Sequence, residues 1–218
     1  MAFPATIYGA EKDVYETGAV QLYPLGQKLI TPSGSVFRYA KMGATVGVAN
    51  KLYQSAVPTT GHQTRDGTIA VGDTTISFTP TTNDLAANEL AGGTVIVEEA
   101  ADLGHPYPIK SNTAAVADAA SVLTLADGVT VLVAMTANAL TVMKNPWRDL
   151  IIVPAATPSA KVIGIPRVLV AAAGFGWVCT RGVASCLVSG TMVIGREVAP
   201  AGAAAGALGP ARAYGTAT

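Results

Sequence analysis

The sequence predicts a mainly β protein: a short-stranded barrel or sandwich body, an extended N-terminal arm and few short helical turns. Three observations carry this. Glycine and proline, 23 and 13 of 218 residues, cut the chain at short intervals. The segments between them favour Val, Ile, Thr, Tyr and Phe, whose branched or aromatic side chains suit a pleated sheet. The length fits one large all-β domain or two small ones, either able to bury a sizeable core.

Residues 1–30 read as the arm. Pro4, Gly9, Gly18, Pro24 and Gly26 interrupt them, and Phe3, Tyr8, Tyr15 and Tyr23 are scattered without a period. Exposed aromatics need cover, so the arm is expected to pack on its own body or on a neighbour. A smaller β unit is expected over 31–113. It opens with a hairpin in LGQKLITPSGSVFRYAKMG (25–43), turning at Thr31-Pro32-Ser33-Gly34. Val36, Phe37, Arg38 and Tyr39 do not alternate cleanly, which leaves the register open. Residues 43–58 read as a strand or a short helix, and 57–66 (VPTTGHQTRD) as a polar linker. In TIAVGDTTISFTP, Ile76 and Phe78 alternate with polar neighbours, as in a half-buried strand. TNDLAANELAGG reads as one or two helical turns stopped by Gly92-Gly93, and TVIVEEA as a strand.

GHPYPIKSNT (104–113) follows. Pro106 and Pro108 remove two backbone donors and favour an extended chain, so a sheet edge or rim is expected. Tyr107 and Ile109 would then face one side, and Pro108 and Lys110 the other. A larger β barrel or sandwich unit is expected over 114–199. Its strands are SVLTLA, VTVLVAM, ALTVMK, LIIVPA, KVIGIPRVLVA, GWVCT, ASCLV and TMVIGREV. The apolar stretch 128–143 is 16 residues long. A membrane helix needs about 20, so this stretch reads as two buried strands turning near Ala137–Asn138. Trp177 is expected in the core, and Trp147 reads either way. Residues 200–218 form an Ala/Gly-rich tail, mobile or ordered only by docking.

Charge excludes some functions. Only 13% of residues are charged and the net charge is zero, against about 25% charged in ordinary soluble domains. No basic stripe is present to displace counterions from nucleic acid. So weakly charged a surface resists self-association poorly, which suits a protein whose normal state is assembled. The start, MAFPATIYGAEKDVYETG, lacks the pattern of a signal peptide.

Chemistry is hard to place. His62 and His105 lie in no metal-ligand pattern, and neither HExxH nor GxSxG occurs. GAAAGALG (202–209) lacks the Lys-Ser/Thr ending of a phosphate loop. Glu98 and Glu99, with Asp102 nearby, are adjacent on a strand and so face opposite sides, a poor catalytic pair. Cys179 and Cys186 are the two ends of CTRGVASC. A hairpin turning at Gly182–Val183 would set them opposite each other, so a cross-strand disulfide stands beside the reading of two buried thiols. Arg65-Asp66, Arg148-Asp149 and Arg196-Glu197 read as surface balance or as intersubunit ion pairs. No catalytic set, cofactor or metal is expected, and GHPYPIKSNT reads as a connector with useful contacts.

Three stretches together, LGQKLITPSGSVFRYAKMG, TVIVEEAADLGHPYPIKSNT and GFGWVCTRGVASCLVSGTMVIGREV, resemble a class of tailed-bacteriophage virion proteins. The resemblance runs from about Leu25 to the end. It departs at GQKLITPSG, where the family pattern favours an acidic turn residue, and at the two cysteines. It implies a capsid decoration (cement) protein, assembled in the host cytoplasm and located on the outer surface of an icosahedral virion. The implied partner is the major capsid protein, with a homotrimer as the oligomer and neither nucleic acid nor membrane involved. Phe3, Tyr8, Tyr15 and Tyr23 on the arm are then the expected interface anchors, with Tyr107 and Lys110 beside them. Two rivals remain: a tail, head-fibre or adhesin component that binds a cell-surface glycan on an exposed Trp147 or Trp177, and a thiol hydrolase using Cys179 or Cys186 with a histidine.

Overall fold

The computed structural model describes residues 4–57, 62–65 (backbone alone), 67–80, 84–98, 103–116, 118–135, 139–155, 157–201 and 203–211. Their regular elements are short strands joined by turns and loops, with one three-residue 3-10 turn, Asp13–Tyr15. The chain forms two compact units. One comprises residues 1–57 and 146–218, and the other is the continuous stretch Pro58–Asn145. The expected boundary at 113/114 does not hold. It would cut between two paired strands of the second unit, and the first unit draws its sheet from both ends of the chain.

In chain order the first unit begins with β1 (Thr6–Tyr8), β2 (Thr17–Gly18), β3 (Lys28–Ile30), β4 (Val36–Lys41) and β5 (Tyr53–Gln54). The second unit follows as β6 (His62–Arg65), β7 (Thr75–Thr79), β8 (Thr94–Val97), β9 (Pro106–Asn112), β10 (Ser121–Leu125) and β11 (Ala139–Met143). The chain then returns to the first unit as β12 (Ile151–Ile152), β13 (Val162–Pro166), β14 (Phe175–Arg181), β15 (Val198–Pro200) and β16 (Leu208–Pro210).

The first unit's main sheet runs β1-β3-β4-β14-β13-β5-β12, with β2 added on β14. The β3–β4 hairpin turns where expected. Gly34 N–H donates to Thr31 O at 2.9 Å, and Gly34 takes φ +78°, which a side chain would resist. β4 lies antiparallel to β14 from Val36 to Lys41, and both faces of this ladder are covered. One face packs Phe37, Tyr39, Phe175, Trp177 and Cys179 with Leu29 and Val14. The other packs Ala40 and Val178 with Met42, Tyr53, Leu150, Ile163 and Val170. A strand buried on both faces loses the two-residue alternation. Arg38 is half-buried on the second face. Its guanidinium lies 5.7 Å from the Trp147 ring centre and donates to Gly26 O at 2.7 Å.

At the middle of the sheet β13 shifts register between Val162 and Gly164. Any side chain at Gly164 would collide with the carbonyl oxygen of Cys179 on β14. Gly164→Ala is therefore expected to destabilise this unit by about 1–3 kcal/mol, the usual cost of overpacking. A urea unfolding curve followed by tryptophan fluorescence measures it, and both tryptophans lie in this unit.

The arm is part of this unit, and its expected end at residue 30 cuts off β3. β1 pairs parallel with β3, β2 pairs with β14, and Val14 is fully buried. The expected tail is also partly ordered. β15 and β16 form a hairpin, Ala207 is buried, and Gly206 N–H donates to Val153 O at 2.8 Å. Residues 212–218 lie outside the described residues.

The second unit is a closed antiparallel barrel in the order β10-β7-β6-β11-β8-β9. Ile76, Phe78, Val95, Val97, Tyr107, Ile109, Leu123, Leu125, Leu140 and Val142 form its core with Leu85, Leu90, Val131 and Met135 from connections. Closure removes sheet edges, so GHPYPIKSNT is not an edge connector: β9 pairs with β8 and β10. Its prolines are accommodated by register. Ile109 donates its N–H to Gly93 on the β8 side, so positions 106 and 108 turn their nitrogens the other way. The β10 ladder covers only Ile109 to Asn112, so the missing donors fall beyond it. Tyr107 and Ile109 are buried while Pro108 and Lys110 are exposed, as the pleat requires.

Smaller corrections follow the same physics. Residues 84–92 make hydrogen-bonded turns rather than helix, with Leu85 and Leu90 buried. VTVLVAM and ASCLV form no strand, only the isolated bridges Met135–Ile69 and Val188–Leu208. The turn expected near Ala137–Asn138 lies outside the described residues. In 43–58 the structure has the short strand β5.

Candidate functional site

The largest departure from an ordinary monomer surface lies between β14 and β15. Residues 183–197 contain no strand. Their inner side is anchored: Leu187 N–H donates to Asn50 O at 2.7 Å, Ser189 N–H to Leu208 O at 2.9 Å, and Cys186 packs beside Leu52, Val153 and Ile165. Several of their apolar side chains are uncovered, beside the exposed Ser185, Thr191, Arg196 and Glu197. Val183 is 86% exposed, Val193 62% and Ile194 fully so, and Leu187, Val188 and Val198 each keep more than a third of their surface in water. Val193 and Ile194 sit on a turn closed by Arg196 N–H on Val193 O at 3.2 Å, with Gly195 at φ +82°. A turn with Gly at its third position needs that positive φ. The sequence reading placed TMVIGREV in a strand. The signal for the turn was Gly195 after two apolar residues.

The arm adds a second exposed set. Tyr8 is 81% exposed, and Tyr15, Val20 and Leu22 are more than half exposed. Phe3 lies outside the described residues. Tyr23 is not a free anchor: its ring meets Tyr39 and Trp177 at 5.2 Å each, completing the aromatic cluster of the first unit. Tyr107 is not available either. It is buried in the barrel, and its hydroxyl accepts the Leu132 N–H at 3.2 Å. Lys110 is exposed and pairs with Asp127 at 2.6 Å, a surface ion pair of small energetic value.

On the arm, Glu11 accepts the Ser33 N–H at 2.9 Å. Hydrogen bonds from the Ser33 side chain and N–H, with Arg167 further off, hold its carboxyl below the usual range. A depressed carboxyl favours this contact above its unfolded value and loses it as pH falls through its folded one. Asp149 pairs inside its own unit with Lys41 at 3.0 Å, so Arg148-Asp149 is no free intersubunit pair.

Catalytic chemistry finds little support in these positions. Cys179 and Cys186 are both free thiols, and residues 182–187 do not return along β14 as a hairpin. Burial pushes both thiols up, the opposite of what a thiolate nucleophile needs. In the native chain at neutral pH, iodoacetamide is expected to reach Cys186 before the deeper Cys179, both about tenfold or more slower than a free thiol. Peptide mass spectrometry reads this, and rapid alkylation of Cys179 would reopen thiol chemistry. His105 is partly buried with its ring edge-on to Tyr107, and the His62 side chain lies outside the described residues. Among the described residues no group of three or more His, Cys, Asp or Glu could hold a metal. Nor is any helix there long and apolar enough to cross a membrane. Trp177 is buried, and Trp147 is half-buried against the first unit's core, so neither indole offers an exposed platform for a sugar.

Comparison of the chain with family models, with curated proteins and with solved structures gives no match.

Proposed function

We propose that the chain is a non-enzymatic virion structural protein that binds the outer surface of an icosahedral phage capsid and stabilises it by bridging capsid subunits. The observation that carries this is the apolar segment 183–198, with Val183, Val193 and Ile194 uncovered on a chain of only 13% charge. Monomers rarely leave such a run in water, because its burial is favourable and little opposes association. The exposed Tyr8 and Tyr15 supply further anchors of the kind that dominate interfaces. The resemblance of the three stretches to tailed-bacteriophage virion proteins supports the major capsid protein as the partner and a homotrimer as the binding form.

The mechanism is multivalent. A trimer engaging several capsid subunits makes each later contact intramolecular, so modest single contacts sum to a strong clamp. Folded β units hold the contact segments in place before binding and so reduce the ordering cost.

The test is sedimentation of a lysate from the native source with detection of this chain. The expected result is movement with megadalton particles in fixed ratio to an abundant shell protein. A small, soluble species would reject the reading.

A further inference from the structure

We propose that the first unit carries a carboxylate-receiving cleft, in which Arg181 and Arg167 bind an acidic side chain of a protein partner next to the arm residue Glu11. The cleft has a volume of about 560 Å³. It lies where the end of β14 meets the β3–β4 turn. Gly182 makes the approach possible: a Cβ there would fall 2.5 Å from Ser35 Oγ. Ser33 and Ser35 add a hydroxyl chain at 3.1 Å along the wall.

The two arginines differ in their commitments. Arg167 is held in place, with Nη2 donating to Val183 O at 2.6 Å and its guanidinium 4.7 Å from the Phe37 ring centre. Its Nη1 stands 3.9 Å from Glu11 Oε2, too far for a hydrogen bond. Arg181 is exposed, and its guanidinium has no hydrogen-bond or ion-pair partner among the described residues. The cleft lining therefore carries two cations and one carboxylate, and Glu11 is already engaged by Ser33, whose N–H donates to it. The cleft has spare positive charge and forked donors, which match a second carboxylate. Glu11 both shows how a carboxylate sits there and competes with one that arrives.

The partner's identity rests on the capsid reading; the cleft does not. The test titrates the full chain with a glutamate hexapeptide and, separately, with inorganic phosphate, following the arginine side-chain N–H resonances by NMR. Saturable shifts at Arg181 with the peptide are expected, weakened severalfold by added salt because the site is exposed. Arg181→Ala should weaken binding about tenfold, Arg181→Lys less, and Glu11→Gln should strengthen it severalfold while still accepting the Ser33 N–H. Absence of saturable shifts overturns the proposal. So does phosphate binding as tight as the peptide, which would make this a site for free oxyanions. A chain that binds the peptide but never sediments with particles rejects the shell assignment and keeps the cleft. A chain that sediments with particles without the Arg181 shifts rejects the cleft alone.

Discussion

Trp177→Ala is expected to lower the stability of the first unit by about 3–5 kcal/mol, the usual cost of removing a buried indole from a core. Few single changes in this chain should cost more. Trp177 is 1% exposed on β14, the strand that joins β4 to β13 and also carries β2. Its ring lies 5.1 Å from Tyr39 and 5.2 Å from Tyr23, and each such aromatic pair adds about 0.5–1.5 kcal/mol beyond area burial. Neighbours pinned in a two-sided ladder cannot collapse into the void, so the cavity penalty is felt almost in full. Small native proteins hold only about 5–15 kcal/mol in total. The variant should therefore unfold at much lower urea. Trp147 is the indole that remains, and it lies in the same unit, so its fluorescence reads the transition. A loss below about 1 kcal/mol, the level of an ordinary surface change, would mean that this cluster does not hold the sheet. Trp177→Phe keeps an aromatic ring and should cost less, which separates lost volume from lost ring contacts.

Local pattern made much of the fold legible. The β3–β4 turn was visible in Thr31-Pro32-Ser33-Gly34, because proline and glycine there restrict the backbone by themselves. Ile76 and Phe78, and Tyr107 and Ile109, gave their buried faces by alternation, since a barrel wall has one dry side. What failed depended on long-range pairing. Nothing near residue 38 announces that Val36–Lys41 pairs with Phe175–Arg181, so the first unit's two halves could not be joined from sequence. The prolines of GHPYPIKSNT pointed to an edge, and only the register with β10 shows why a closed barrel accepts them. Alanine-rich stretches and VTVLVAM gave propensity without a partner strand, and tertiary context decided against them. The site was legible only in part. Tyr8 and Tyr15 are exposed, while Tyr23 and Tyr107 pack into cores. Aromatic character serves an interface and a core alike, and sequence does not separate the two. Val193 and Ile194 read as strand residues because β-branched residues favour strands, while the turn they occupy is announced only by Gly195.

The double variant Val193→Asp/Ile194→Asp is expected to fold as the parent does and, if the proposed capsid binding holds, to lose it by about 100-fold or more. Both side chains already stand in water at the tip of the turn, with Ile194 fully exposed. The turn is closed by backbone, from Arg196 N–H to Val193 O, and by the positive φ of Gly195. Neither device needs the two side chains, so the melting midpoint should hold within the roughly 0.5 kcal/mol of a surface change. At an interface the same residues would be desolvated, and a carboxylate buried without a partner is costly. Two central contacts at about 2 kcal/mol each amount to several hundredfold in affinity. In the proposed trimer every copy would carry the defect, so multivalency would amplify the loss. Adding purified parent and variant to particles that lack the protein, then pelleting, measures both. A variant that folds and still pellets at parental ratio would remove segment 183–198 from the interface and move the search to Tyr8 and Tyr15 on the arm. Parallel Tyr8→Ala and Tyr15→Ala variants would then show the larger loss.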